Sequence, residues 1–143
     1  RQVDWLKKPL SIPKTEKFDR VMADCPCSGM GVLRRNPDIK WSASAQELFR
    51  YQKNQTRLLT VLADYVRNGG FLVYVVCSTE PEENEKVIER FLDNRRDFQV
   101  DRTVSQAEGR LRPFISDAGY FKTSVYRHDL DGFFGVRLKK KQS

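Results

Sequence analysis

Apolar positions along the chain fall into two unbroken runs and two helical stripes. Val21-Met22-Ala23, inside Phe18–Asp24, and Phe71–Val76 show no alternation, the pattern of parallel strands buried on both faces. Pro26 cannot donate to a sheet ladder, so the first strand stops at Asp24 with Cys27 just beyond it. The second run stops at another thiol, Cys77. Between them Ser44 stands three residues before Glu47, a capping-box spacing. Leu48, Tyr51, Gln55, Leu58, Leu59, Leu62, Tyr65 and Val66 follow at mostly helical intervals, up to a stop at Asn68-Gly69-Gly70. Thr79 is placed to cap a second helix, with Pro81 in its first turn, Glu82 at its third position, Glu80, Glu82 and Glu83 as favourable charges, and Val87, Ile88, Phe91 and Leu92 as its buried stripe.

The remaining pattern is weaker. Asp4–Lys17 and Val32–Trp41 read as loops. Phe98–Arg102 reads as a short strand, and Ala107–Asp131 as mostly loop with a short strand at Tyr120–Thr123. Gly132–Leu138 is a last strand before a basic tail. Strand and helix alternate, which predicts an α/β fold: a doubly wound parallel sheet whose last strand, reached by a long loop, runs antiparallel. If the first two strands are neighbours, their ends lie about 5 Å apart. Cys27 and Cys77 then face one site at the carboxyl rim of the sheet, where ligands bind in such folds.

A length of 143 residues suits one domain, of which about 70% of the unfolded surface is buried on folding. The net charge of +7 is clustered at Lys7-Lys8, Arg34-Arg35, Arg95-Arg96, Arg110 with Arg112, and Lys139-Lys140-Lys141. Such clusters suit a polyanion, most simply nucleic acid, against the plainer reading of solvated surface charge. Three cysteines, with no signal peptide and no apolar run near 18 residues, point to a reducing cytoplasm and away from a disulfide scaffold or a membrane span.

A lone cysteine is more often a small core residue than a reactive one, and Cys25, beside Cys27, fits that reading. Two thiols at adjacent rims, each followed at once by a serine, ask for more. A zinc site lacks the usual two-residue gap and a fourth ligand, His128 being the lone histidine, so no metal is expected. A thioredoxin-like redox pair would need Cys-x-x-Cys at one helix start. Substitution at C5 of a pyrimidine uses all the parts. A thiolate adds to C6 and makes C5 nucleophilic, an acid stabilises the Watson-Crick edge, and a second group handles protons. Cys27, Cys77 and Asp24 supply that set, and spacing leaves open which thiol attacks.

The segment Asp24-Cys25-Pro26-Cys27-Ser28-Gly29, continuing to Trp41, resembles the Asp-x-Pro-Cys-Ser-Gly motif of RNA cytosine-5 methyltransferases of the Sun (Fmu, RsmB-like) type. Val76–Glu85 resembles the family's second cysteine motif, and Asp131-Gly132-Phe133-Phe134 its carboxyl-terminal signature. The resemblance implies a Rossmann-like S-adenosylmethionine-dependent methyltransferase acting on cytosine C5 in RNA, with ribosomal RNA as substrate. It implies that Cys77 is the nucleophile, that Cys27 assists release of the product, and that Asp24 contacts the base edge and touches the donor. DNA cytosine-5 methyltransferases attack from the Pro-Cys motif instead. Arg34, Arg35, Lys40 and Trp41 then become candidate RNA contacts, through phosphate pairing and stacking. Trp41 equally suits packing at a helix end, Phe133 and Phe134 suit the core, His128 the surface, and Glu82 and Glu83 the start of a helix.

The chain carries no glycine-rich turn of the donor-binding kind after a strand; Gly29-x-Gly31 is a weak match in the wrong motif. The expectation is that residues 1–143 form the carboxyl-terminal part of a catalytic domain, that the donor-binding strands lie upstream, and that the piece alone is inactive. An unpaired edge at the first strand would then invite self-association. The competing reading is a basic RNA-binding or assembly module that keeps the fold without catalysis. An amino-group methyltransferase fails because it would have an aromatic residue where Cys27 stands and no use for Cys77.

Overall fold

The computed structural model describes residues 12–42, 44–106 and 109–142. Lys7-Lys8 and the loop from Asp4 to Ser11 lie outside the described residues. The chain runs through β1 (Phe18–Asp24), a turn of 3-10 helix at Met30–Val32, α1 (Ile39–Ser42), α2 (Ala45–Ala63), β2 (Val66–Val76), α3 (Glu85–Asn94) and β3 (Phe98–Val100). A turn at Arg112–Phe114, β4 (Tyr120–Lys122), α4 (Val125–His128) and β5 (Phe134–Lys140) complete it.

β1 and β2 are parallel neighbours, with Asp24 opposite Val75, as expected. β5 is antiparallel, also as expected, but it enters between β2 and β3, so the sheet order is β1-β2-β5-β3. The short β4 joins the same outer edge of β5, beyond β3. A strand arriving by a long connection is free to fill a gap that strands linked by helical crossovers leave open.

Three predicted boundaries move by four residues or more, and Val32–Trp41, expected as a loop, runs into the short α1. Ser44 does cap α2, its Oγ accepting from the backbone N of Glu47 at 3.1 Å, but the helix ends at Ala63 rather than at Asn68. Val66 pairs with Phe18, so β2 begins five residues before the predicted strand and carries an irregularity at Gly69-Gly70. A Cβ on Gly70 would stand 2.9 Å from the Asp19 carbonyl oxygen, the close approach that permits it. α3 begins at Glu85, not at Thr79: the Pro81 carbonyl takes the amides of Asn84 and Lys86, closing a separate turn, and Thr79 Oγ1 faces Glu80.

Neither long strand is buried on both faces. In β2, Leu72, Tyr74 and Val76 are fully buried and join Leu59, Leu62, Val87, Ile88 and Phe91 in one core. Phe71, Val73 and Val75 on the opposite face are half-buried, with the Arg137 guanidinium 4.9 Å from the Phe71 ring. Among the described residues β1 is an edge strand, with β2 its one partner and Met22 65% exposed. One basic cluster proves structural: Arg95, half-buried, pairs with Asp64 at 2.9 Å and Asp97 at 2.8 Å, and it holds the Asp97 carboxyl below its usual range. Among the described residues no helix is long and apolar enough to cross a membrane.

Candidate active site

The ends of β1 and β2 bring the two thiols together. The backbone N of Cys25 donates to Val75 O at 3.0 Å, extending the β1 ladder by one residue and turning the Cys25 side chain into the core. Pro26 ends the pairing and Gly29, at φ 76°, reverses the chain in a conformation that suits glycine. Cys27 Sγ then lies 2.9 Å from Cys77 Sγ, and all three cysteines are free. Burial, and then the contact with Cys77, push the Cys27 thiol up to about 12. Burial and the Asp24 charge do the same to Cys25. Cys27 is therefore held as a thiol at neutral pH, a state suited to holding or giving a proton.

Behind the thiols stands a residue that sequence reasoning placed elsewhere. Glu83 was expected among the charges of a helix start; it is instead fully buried. Its carboxylate accepts from Ser28 N at 2.9 Å, from Ser28 Oγ, from Ser78 Oγ at 2.6 Å and from Gln55 Nε2 at 2.9 Å. Ser28 follows Cys27 and Ser78 follows Cys77, so one carboxylate ties both thiol-bearing loops. Gln55 also donates to Pro26 O at 3.0 Å, and Tyr74 Oη donates to Glu83 O at 2.6 Å, which fixes the hub to α2 and β2. Glu83→Gln would turn an amide NH2 toward donors and leave at least one buried polar group unpaired. Urea unfolding is expected to show a loss of about 2–3 kcal/mol, and an unchanged midpoint would remove Glu83 from this role. The one available signal was the serine after each cysteine, which asks for a shared acceptor.

A second junction uses two glycines. Gly31 N donates to Cys77 O at 3.0 Å and Gly132 N donates to Gly31 O at 2.7 Å. A Cβ on Gly31 would stand 1.8 Å from the Gly132 carbonyl oxygen, so the three motifs meet backbone to backbone. Buried Asp131 takes Arg35 at 2.8 Å and Arg34 at 3.7 Å, and Arg34 also reaches Asp129 at 2.8 Å.

Asp24 stands exposed at the carboxyl end of β1, and its carboxylate makes no hydrogen bond or ion pair among the described residues. Lys40 and Trp41 sit on α1, with Lys40 Nζ 4.6 Å from the Trp41 ring and Trp41 79% exposed rather than packed. α1 is seated on the Cys27–Gly29 turn through Ile39, whose Cδ1 is 2.9 Å from the position of a Cβ on Gly29. Arg34 and Arg35 are partly committed to Asp129 and Asp131, and both stay solvent-accessible. Phe134 is core as expected, but Phe133 is 38% exposed. His128 is half-buried rather than on the surface, its Nδ1 accepting from Ser124 N at 3.1 Å and its ring edge-on to Phe114. Glu82 keeps to the surface, paired with Lys86 in a turn before α3, and that contact lowers its carboxyl.

The described residues offer a methyl donor little. Beside Asp24 a cleft of about 190 Å3 runs along Val21, Ala23, Leu58 and Leu62, below the roughly 300 Å3 at which small-molecule sites begin. No described strand leads into a glycine-rich turn.

Residues 1–139 match the family described as 16S rRNA methyltransferase RsmB/F. The chain is 36% identical over 129 residues to the probable ribosomal RNA small subunit methyltransferase B of Bacillus subtilis, covering 90% of this chain and 29% of that protein. It is 37% identical over 136 residues to the protein of the same description from Synechocystis, covering 94% of this chain and 30% of that one. Among solved structures, a methyltransferase homolog from Pyrococcus horikoshii superposes with a TM-score of 0.68 at 30% identity, over 88% of this chain and 40% of its own. The chain thus spans about a third of the length of these relatives, and its α/β sheet is that of a Rossmann-like methyltransferase fold. Two thiols in contact, the acid that ends β1 and the loops that carry the thiols all fall within the matched region: the chain belongs to the RsmB/F family of 16S rRNA methyltransferases.

Proposed function

We propose that the chain is the substrate-side part of an enzyme that methylates cytosine C5 in ribosomal RNA, acting in the reducing cytoplasm. The observation that carries this reading is the 2.9 Å contact between Cys27 and Cys77 at the carboxyl ends of neighbouring parallel strands. One thiol attacks and the other, kept protonated, serves the attacked base. Cys77 adds to C6 of a flipped-out cytidine, which makes C5 nucleophilic. S-adenosylmethionine supplies an electrophilic methyl group to such a carbon. Asp24, exposed beside the thiols, faces the Watson-Crick edge and stabilises the electron-rich ring near N3. Once C5 is methylated, water takes the C5 proton as the C6–S bond breaks, and Cys27, held as a thiol by burial, gives its proton to the departing Cys77 thiolate and regains one from solvent. Lys40 and Trp41 on exposed α1, with the accessible faces of Arg34 and Arg35, meet the RNA strand.

The donor pocket belongs to a segment that pairs with the open edge of β1. Two observations support this: among the described residues β1 ends the sheet with Met22 exposed, and the relatives are about three times as long. In the isolated chain the same edge is available to a second copy. Calorimetric titration of the 143-residue chain with S-adenosylmethionine is expected to show no binding at micromolar concentration; micromolar affinity would place the donor site within it. The function itself is tested with RNA carrying 5-fluorocytidine, presented to the protein that includes the donor-binding segment. A protein-RNA adduct stable to denaturant and mapped to a cysteine of this pair supports the reading. Tight RNA binding without an adduct would favour a non-catalytic RNA-binding module.

A further inference from the structure

A pocket of about 460 Å3 opens beside the Cys77 loop and has no part in the chemistry above. Ser78, Thr79 and Asn84 form one side of it, and the segments around Phe114, Arg127 and Phe133 form the rest. Cys27, Cys77 and Asp24 do not line it, yet Ser78 directly follows Cys77. A group held here is a neighbour of the group that meets the thiol.

Two features define what it would hold. Phe133 keeps 38% of its surface exposed while Phe134 beside it is fully buried, so an aromatic face is left available at the pocket. Nucleobases stack on such faces irrespective of sequence. Arg127 makes no side-chain hydrogen bond or ion pair among the described residues, whereas Lys122 nearby is taken by Glu85. A free guanidinium at the rim of a partly aromatic pocket suits a phosphate. The volume lies within the roughly 300–1,000 Å3 range of small-ligand sites, enough for one nucleotide.

We propose that this pocket is a subsite for one nucleotide of the RNA strand flanking the cytidine presented to Cys77, its base on Phe133 and its phosphate on Arg127. The inference rests on reading Cys77 as the nucleophile toward RNA. Extrusion of a target base requires its neighbours to be held, and a subsite one residue along the nucleophile's own loop would do so.

The test is a binding cycle on the 143-residue chain, by fluorescence anisotropy with short single-stranded RNAs carrying one central cytidine. Each flanking nucleotide is made abasic in turn, and wild type is compared with Phe133→Leu and Arg127→Gln. One abasic flank is expected to weaken wild-type binding about tenfold and to leave Phe133→Leu binding nearly unchanged, because the ring it stacks on is already gone. Arg127→Gln, at an exposed position, should weaken all the RNAs and lower the salt slope by about one. Equal sensitivity of wild type and Phe133→Leu at every flank, with an unchanged salt slope in Arg127→Gln, overturns the subsite. If Cys77 still forms the 5-fluorocytidine adduct in that event, the proposed reaction stands and the subsite alone is lost. A chain with no measurable RNA affinity overturns the subsite as well.

Discussion

Cys77→Ala is expected to abolish the covalent RNA adduct and to lower turnover by at least about three orders of magnitude, the scale on which a covalent nucleophile acts. Cys27→Ala is expected to do something different: to form the adduct and fail to resolve it, so that enzyme-bound RNA accumulates even with ordinary cytidine. The two sulfur atoms touch, and burial pushes the Cys27 thiol up to about 12, so the pair retains a proton that one sulfur carries while the other is bonded to C6. The assay is denaturing electrophoresis of 5-fluorocytidine RNA with each variant, in the protein that includes the donor-binding segment, followed by mapping of the modified peptide. If Cys77→Ala still traps RNA and Cys27→Ala does not, the two roles are exchanged. The buried core thiol Cys25 provides the control, since Cys25→Ala should leave trapping intact.

Which parts of this site could be read from residues alone follows from the range of the forces involved. The strand ends at Asp24 and Cys77 were legible because proline and a break in hydrophobicity act locally. That they lie side by side followed from one topological assumption, and Asp24 does pair with Val75. Glu83 was misread because its local signal, an acid in a run of acids before a helix, is that of a macrodipole partner. Its actual partners, Ser28 and Gln55, lie 55 and 28 residues away in sequence. The late start of α3 has the same origin: drawing Glu83 into the core and closing a turn on Pro81 leave Thr79 without a helix to cap. Arg34 and Arg35 looked like free charges for the same reason, since Asp129 and Asp131 reach them from nearly a hundred residues later. Continuous apolar runs suggest two covered faces, whereas α2 and α3 leave one face of β2 half-open and, among the described residues, β1 lies at an edge. Such runs report what a strand tolerates; they do not report which layers are present.

Gly31→Ala is expected to be the most damaging substitution for the fold of the site. Gly31 does not adopt a left-handed conformation, so backbone freedom is not the reason. Its added Cβ would meet the Gly132 carbonyl oxygen at 1.8 Å, the Gly132 carbonyl carbon at 2.7 Å and the Cys77 carbonyl carbon at 3.0 Å. All three are backbone atoms of other motifs, so no side-chain rotation relieves the clash. Separating the segments breaks two hydrogen bonds, Gly31 N to Cys77 O and Gly132 N to Gly31 O, and carries the Asp131 carboxylate away from Arg34 and Arg35. The expected loss is about 4 kcal/mol or more, in the exceptional range for one methyl group, and much of the remaining folded protein should have the Cys77 loop displaced from Cys27. Gly135→Ala supplies the comparison: its Cβ would come no nearer than 3.6 Å to another atom, an ordinary contact, and its cost should stay within about 1 kcal/mol. Urea midpoints of the two variants, together with the rate at which a bifunctional thiol reagent bridges Cys27 and Cys77, separate loss of fold from loss of register. A Gly31→Ala protein with wild-type stability and undiminished bridging would show that the three motifs do not depend on this contact, and that the Glu83 carboxylate alone holds the two thiols together.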